Sequence, residues 1–540
     1  MKLFYHIKKA LCFLLCFGLL FPLAGCGKSS ALLRYDISAA PQNLDPQFAT
    51  GAVEQMIIQN ICEGLVRQLP NGEIVPALAE SYAISESGLQ YTFILKEAQW
   101  ENGAPVTAED FVFAFQRMFN SVSRSPYAEQ YASISGARQI MEAGAAASSL
   151  GVSAKDSRTL VFTLAQEDPF FLEQLCHTAA MPCNREFFEE SRGKYGTTAK
   201  MTLANGPFYI RLWDNQSYLY LKRSASYYDA QAVELPGVYL YIRRDVPTAQ
   251  QEEAGEVPLT IYERVLDGSA DIAPANYQQA MAAQAQGCTY QRQSNTVWAL
   301  VANSNNQPLA AENMRKAFFH CVNREELEGY LQENMTITDR LISPEVMQFT
   351  QSYTESVPVS VNSYAPEQAQ AEYETALPQA NRSALESLEL LVPNEANIPF
   401  MSGMLQQMWE RTLSSFVNII ALPREELESR VAAGEFDMAI VPFSSTQNTP
   451  LEVLGQFTSS GQWNSRSPEY DALFHAAQEA KTKQTLLPAL AQAEAFLYRD
   501  CAVVPLFYET TYTIFSPGVD GVELYPYNGL VYFKNARCYR

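Results

Sequence analysis

Segments of two different periods alternate along almost the whole chain, and this limits the fold more than any other feature. Apolar residues at every second position mark strands, and apolar residues three and four apart mark helix faces. Strand patterns stand at 89–96 (LQYTFILK), 160–164 (LVFTL), 218–222 (YLYLK) and 238–242 (VYLYI), with a buried apolar run at 501–508 (CAVVPLFY). Another strand begins near Tyr35 in RYDISAAPQNLDP and runs into a loop. Helical spacing runs from Val53 to Leu65. Thr107, with Asp110 three residues on, caps a second helix whose apolar face is Phe111, Phe115 and Met118. Further helices are expected at 312–320, 324–331, 403–415 and 484–498. Pro70-Asn71-Gly72 reads as a turn, and the Ala-, Ser- and Gly-rich stretch 143–154 as a loop or connector. No repeat of fixed period occurs. Helices and strands interleaved through 540 residues imply an α/β chain of two or three domains.

The first 25 residues are of another kind. Lys2, Lys8 and Lys9 precede an uncharged run from Ala10 to Gly25, rich in Leu, Phe and Cys. A basic head, an apolar middle and small residues before a cut site make a secretory signal. The run is shorter than the roughly 20 residues of a comfortable membrane span, so a retained span is the weaker reading. Gly27-Lys28-Ser29 could end a phosphate-binding loop, but Pro22 stands where that loop needs its first Gly, and no strand leads into it. Leu23-Ala24-Gly25-Cys26 resembles a bacterial lipobox, which implies diacylglycerol on the thiol of Cys26 and a lipid-anchored tether over 26–33.

The net charge of −21 becomes −24 once the three leader lysines are removed. That balance argues against nucleic acid, which needs a basic surface; it names no ligand and is explained by solubility. Seven cysteines remain beyond Cys26: Cys62, Cys176, Cys183, Cys288, Cys321, Cys501 and Cys538. Their spacing is wide and contains no CxxC, so most read as small buried apolar residues. A Cys176–Cys183 bridge is the one pairing considered.

Signs of catalysis are weak. His177, His320 and His475 lie far apart and form no metal-ligand spacing, so no metal and no cofactor is expected. No GxSxG elbow occurs. Glu109-Asp110 is explained by helix capping and solvation. A glycosidase carboxylate pair need not be close in sequence, and nothing in the chain points to one.

Seven segments, taken in order, resemble the solute-binding proteins that serve peptide-importing ABC transporters. They are NLDPQFATG…NICEGLVRQLPNGEIVPALAESY (43–82), GLQYTFILKEAQWENGAPVTAEDFVFAFQRMF (88–119), SPYA (125–128), NGPFYIRLWDNQSYLYLKRSASYYD (205–229), VLDGSADI (265–272), ENMRKAFFHCVNREEL (312–327) and GEFDMAIVPF (434–443). Each alone is weak, but their order and spacing match from about residue 34 to 540. The resemblance implies a two-lobed periplasmic-binding-protein-like fold of the α/β class, with an additional third domain and a discontinuous first lobe. The first lobe would take 34–62, 186–295 and 509–540, the additional domain 63–185, and the second lobe 296–508. It also implies a non-enzyme that closes on an oligopeptide and presents it to permease subunits. The protein would be a monomer on the extracytoplasmic side, held to the bilayer through Cys26.

One departure from the family stands out. The peptide binders resembled carry Gly-Trp and then an Asp after the GxFD segment, and that Asp holds the peptide α-amine. Counted without gaps from Gly434-Glu435-Phe436-Asp437, those places fall on Pro442-Phe443 and Thr446. VPFSSTQNTP has no carboxylate, and a hydroxyl accepts a hydrogen bond but pairs no charge. The acidic residue often found in the first lobe becomes Thr50 in ATGAVE, with Glu54 four residues on. The expected ligand-binding residues are therefore Thr50 and Gly51, Tyr127 of SPYA, Phe443 as an apolar wall, the hydroxyls of Ser444, Ser445 and Thr446, and Tyr508. Either another acid replaces the Asp, or the ligand lacks a free α-amine, or it is not a peptide: a modified peptide, an opine-like compound, a sugar or a metal chelate. A secreted hydrolase of unrelated fold and a peptide sensor without an importer are the readings from other classes.

Overall fold

The computed structural model describes residues 30–120, 125–244, 247, 257–349, 351–359, 361, 363–395, 397–445, 448–463, 467–480, 482–526 and 529–540. Three principal sheets organise it. The first has the order Leu33–Ile37, Gly237–Ile242, Tyr218–Arg223, Phe208–Asp214, with the first pair parallel and the others antiparallel. Its alternation is what the sequence implies: Leu219, Leu221, Val238 and Leu240 are buried, while Tyr218, Tyr220, Tyr239 and Tyr241 stand half-buried on the other face. The buried face packs on the helix Ala52–Ile61 and on Val531, Tyr532 and Phe533 near the C-terminus. Asp271, with no exposed surface, accepts from Arg34 and Arg540 at 2.8 Å each and so ties the two ends of the described chain together.

The second sheet is antiparallel, in the order Ala79–Ile84, Gln90–Leu95, Thr159–Thr163, Val152–Asp156. The helix Ala108–Met118 lies on it, with Phe115 edge-on to Phe162 at 5.0 Å. Asp110 accepts the Thr107 backbone N–H at 2.8 Å, as expected of that cap.

The third sheet runs Ile272–Ala275, Val503–Phe515, Thr289–Ala302, Met438–Ser444, Glu389–Pro393, Asn418–Leu422, and Met335–Ile337 also pairs with Val503–Phe515. Thr289–Ala302 and Val503–Phe515 are 14 and 13 residues long and antiparallel. At one end they pair with or border Ile272–Ala275 and the small core of Ala273, Tyr512 and Ile514. At the other end they lie between two large cores, one containing Trp298, Leu300 and Phe507, the other Ala299, Val301 and Phe443. Their register shifts between Gln293 and Thr296, a bulge in the stretch that joins one body to the other.

Several local expectations are adjusted. The helix at Val53–Leu65 stops at Ile61, where Cys62 turns extended. The helix expected at 403–415 starts at Ile398 with Pro399 in its first turn. The helix at 324–331 is confined to Arg324–Glu328. The strand Val152–Asp156 begins inside the stretch read as a connector, because pairing with Thr159–Thr163 outweighs its small-residue composition. The Cys176–Cys183 bridge is not formed: all seven described cysteines are free, and Cys183 instead sits 3.0 Å from the Arg117 guanidinium. Burial pushes the thiols of Cys62, Cys183, Cys321 and Cys501 up to about 12. Among the described residues, no helix is long and apolar enough to cross a membrane.

Candidate ligand-binding site

Two of the expected groups come together on one wall. Gly51 is the N-cap of the helix Ala52–Ile61, and Thr50 beside it is exposed. Glu54, in the first turn, folds back over Gly51, where a Cβ would collide with its Oε2. Glu54 Oε1 accepts the Gln42 backbone N–H at 2.9 Å. One turn along, Gln55 Nε2 donates to Tyr127 Oη at 3.1 Å, and that hydroxyl donates to the carbonyl of Ala49. Tyr127 thus holds the ATGAVE turn from the other side. Burial raises its phenol above the ordinary range, so it stays a neutral donor. Its ring rests on His177 at 4.7 Å. Burial holds that imidazole near a pKa of about 4, leaving Nδ1 free to accept the Ala179 N–H at 3.1 Å.

The other expected residues lie on or beside the third sheet, where the structure corrects two assignments. Phe443, expected as an apolar wall, is 1% exposed and stacks on Phe457 at 5.5 Å and near Trp463 at 5.7 Å. Ser445, expected as a ligand hydroxyl, is 1% exposed and binds the Thr449 carbonyl and Glu452 at 3.2 and 3.0 Å. Phe443 is covered because the strand Met438–Ser444 is central, with cores on both of its faces, and Ser445 is turned inward just past it by its bonds to Thr449 and Glu452. Ser444 is half-buried, its hydroxyl 2.9 Å from Thr296 Oγ1. Tyr508, also half-buried, sits opposite Val297 and Thr336. Thr446, where the amine-binding Asp was expected, and Cys26 lie outside the described residues.

Sequence reasoning missed the polar set around the bulge. Ser294 leaves the ladder, so its N–H is free to donate to Glu345 Oε1 at 3.1 Å. Its hydroxyl lies 2.9 Å from Thr510 Oγ1, and its carbonyl accepts Ser343 Oγ at 2.6 Å. Asn295 Nδ2 donates to the Ser445 carbonyl at 3.1 Å. The available signal was QSNT at 293–296, four polar residues before the apolar run VWALVA. Contacts among the described residues join this region to the body built on the second sheet. Phe170 stacks on Phe349 at 6.4 Å and 16°, and the Gly72 turn abuts Met347. A depression of about 660 Å³ lies elsewhere, lined by residues such as Lys316, His320, Phe496 and Arg499; its cations are already paired with Glu312, Glu372 and Glu469, and no expected ligand residue lines it.

Comparisons with known proteins agree on the family. The sequence profile of the bacterial extracellular solute-binding proteins, family 5, matches residues 73–465. A dipeptide-binding protein of Lactococcus lactis is 26% identical over 542 residues, covering 94% of this chain and 95% of that protein. A probable deoxycholate-binding periplasmic protein of Escherichia coli is 26% identical over 522 residues, covering 93% and 92%. The substrate-binding domain of an oligopeptide ABC transporter from Bacillus anthracis superposes with a TM-score of 0.65 at 24% identity, covering 95% of this chain and all of that one. This last likeness concerns the fold.

Proposed function

Because the chain belongs to the bacterial extracellular solute-binding proteins of family 5, we propose that it is the substrate-binding component of an ABC importer, taking oligopeptides between two lobes and handing them to the permease. The observation that carries the reading is the bulged pair Thr289–Ala302 and Val503–Phe515, which joins two bodies whose polar residues gather beside the junction. Bending at a few element-terminal or bulged residues is how such bodies close on a ligand. The core clusters support much of the proposed division: one gathers residues of 33–62, 204–240 and 515–538 together with Met181 and Ile272, a second those between 65 and 203, and two more those between 298 and 507. Exposed Thr50, Gly51 and half-buried Tyr127, Ser444 and Tyr508 are the proposed ligand contacts. Anchoring at Cys26 would keep a monomeric receptor beside its transporter while the lobes move.

A second reading, in which the solute is not a standard peptide, is favoured by the absence of a carboxylate in VPFSSTQNTP and by the deoxycholate-binding relative. Native mass spectrometry of the purified protein, with extraction of what travels with it, separates the two. A ladder of short peptides supports the first; a single non-peptide compound overturns it. Under the first reading, Thr446→Asp strengthens binding of free-amine peptides.

A further inference from the structure

Resting on the peptide reading, we infer that Glu345 supplies the negative charge that receives a primary ammonium of the solute, in place of the carboxylate absent from the loop 441–450.

The segment around Glu345 is held firmly against the bulge. Ser343 Oγ donates to the Ser294 carbonyl at 2.6 Å, the Glu345 N–H donates to Ser343 Oγ at 3.0 Å, and the Met347 N–H donates to Asn448 Oδ1 at 2.7 Å. Glu345 therefore stands where the strand Thr289–Ala302 leaves its ladder, on a segment bonded to the loop that lacks the acid. Its carboxylate is half-buried and bonds the Ser294 N–H through Oε1 alone. No Lys, Arg or His among the described residues pairs with it, whereas the buried carboxylates of Asp36, Asp271 and Glu494 each have an arginine within 4 Å. A neutral Gln oxygen would serve the Ser294 bond equally well. The bond explains the shape of the side chain at 345 but not its charge, and a half-buried charge without a partner is unfavourable.

An independent observation points to a ligand on the same seam. Gln348, three residues on and 1% exposed, has neither amide atom bonded among the described residues. Asn448 Nδ2 and Asn295 Oδ1 are likewise buried without a partner among the described residues, although the other amide atom of each is used, by Met347 and by Ser445. A buried polar group left unpaired is penalised, so each of these calls for a partner. The set offers an acceptor at Asn295, a donor at Asn448 and one of each at Gln348, which is the complement of a peptide backbone. The seam lies where Gly72 and Phe170 of the neighbouring body meet Met347 and Phe349, so closure would cover whatever sits there.

The ammonium could be an α-amine or a lysine side chain, and three random tetrapeptide libraries distinguish them: free-amine without lysine, N-acetylated without lysine, and N-acetylated with lysine. Each is offered to the full mature chain, and retained peptide is counted by native mass spectrometry. The wild type should hold one ammonium-bearing library about tenfold better than the acetylated lysine-free one, and Glu345→Gln should reduce that preference below about threefold. Glu345→Asp, which keeps the charge, should keep more of the preference than Glu345→Gln. A preference that survives Glu345→Gln, or the reverse order of the two variants, overturns the assignment but leaves peptide binding standing. Equal retention of all three libraries by the wild type does the same. Retention of no library sinks the peptide reading and this inference with it.

Discussion

Glu494→Gln should loosen the wall that carries Glu345, by an amount the structure lets one estimate. Glu494 sits on the helix Lys483–Arg499 with no exposed surface. Its carboxylate receives Arg340 Nε and Nη2 at 3.1 and 2.8 Å, Tyr353 Oη at 3.0 Å and Tyr498 Oη at 2.7 Å. Burial, and then the neighbouring Glu494 carboxylate, push both phenols well above their ordinary range, so the tyrosines remain neutral donors. Arg340 in turn binds the carbonyls of Thr354 and Val357 at 3.0 and 2.9 Å and so clasps the segment on either side of Glu345. A glutamine keeps one acceptor oxygen, turns an N–H₂ toward a cation or a hydroxyl, and leaves a half-buried guanidinium without a counter-charge. Breaking one side of such a pair costs about 3–5 kcal/mol. A chain with several cores will not unfold in one step, so the assay is urea unfolding followed by fluorescence, where Trp298, Trp409 and Trp463 all report on the cores between 298 and 507. With a slope of about 3 kcal/mol per molar urea, that transition should move down by about 1–1.7 M. The internal control is Glu469→Gln, whose partner Arg499 is on the same helix but whose side chain is 67% exposed; it should change stability by less than about 1 kcal/mol. If both variants shift the transition equally, the reasoning from buried charge is wrong.

Gly206→Ala should destabilise the first core by about 1–3 kcal/mol, because its Cβ would lie 2.7 Å from the Ile61 carbonyl carbon and 2.9 Å from the Cys62 nitrogen, backbone that has little room to move; thermal melting reads this, and an unchanged melt would contradict it. The depressed pKa of His177, about 4 against an ordinary 6.5, means that the unfolded chain takes up its proton first, so this contribution is fully present above about pH 6.5 and is lost as pH falls toward 4, by up to about 3 kcal/mol. His177→Asn, which keeps an acceptor for the Ala179 N–H, should flatten that part of the stability–pH curve; an unaltered slope would assign it to other groups. Cys26→Ser should release the protein from membranes on fractionation, and continued retention would count against lipidation at that residue.

The α/β class and most individual elements were legible in the chain because period and capping are local. Leu219 and Leu221 against Tyr218 and Tyr220 specify which face of a strand is buried, and Thr107 with Asp110 specifies where a helix begins. The resemblance singled out Thr50, Gly51 and Tyr127 separately; the hydrogen bonds of Tyr127 to Gln55 and Ala49 bring them side by side. Only the tertiary structure decided the rest. Phe443 looks accessible in a strand-to-loop sequence, but it is buried because cores cover both faces of Met438–Ser444, and alternation along one strand cannot tell how many layers will cover it; Ser445, just past the strand, is turned inward by its bonds to Thr449 and Glu452. Cys183 faces Arg117 rather than Cys176, and Glu345 reaches Ser294, 51 residues away, through a bulge that exists only because Val503–Phe515 pairs alongside. Local pattern specifies what a segment can bury; which distant segment buries it, and which polar groups are left facing the seam, follows from pairings between residues hundreds of positions apart.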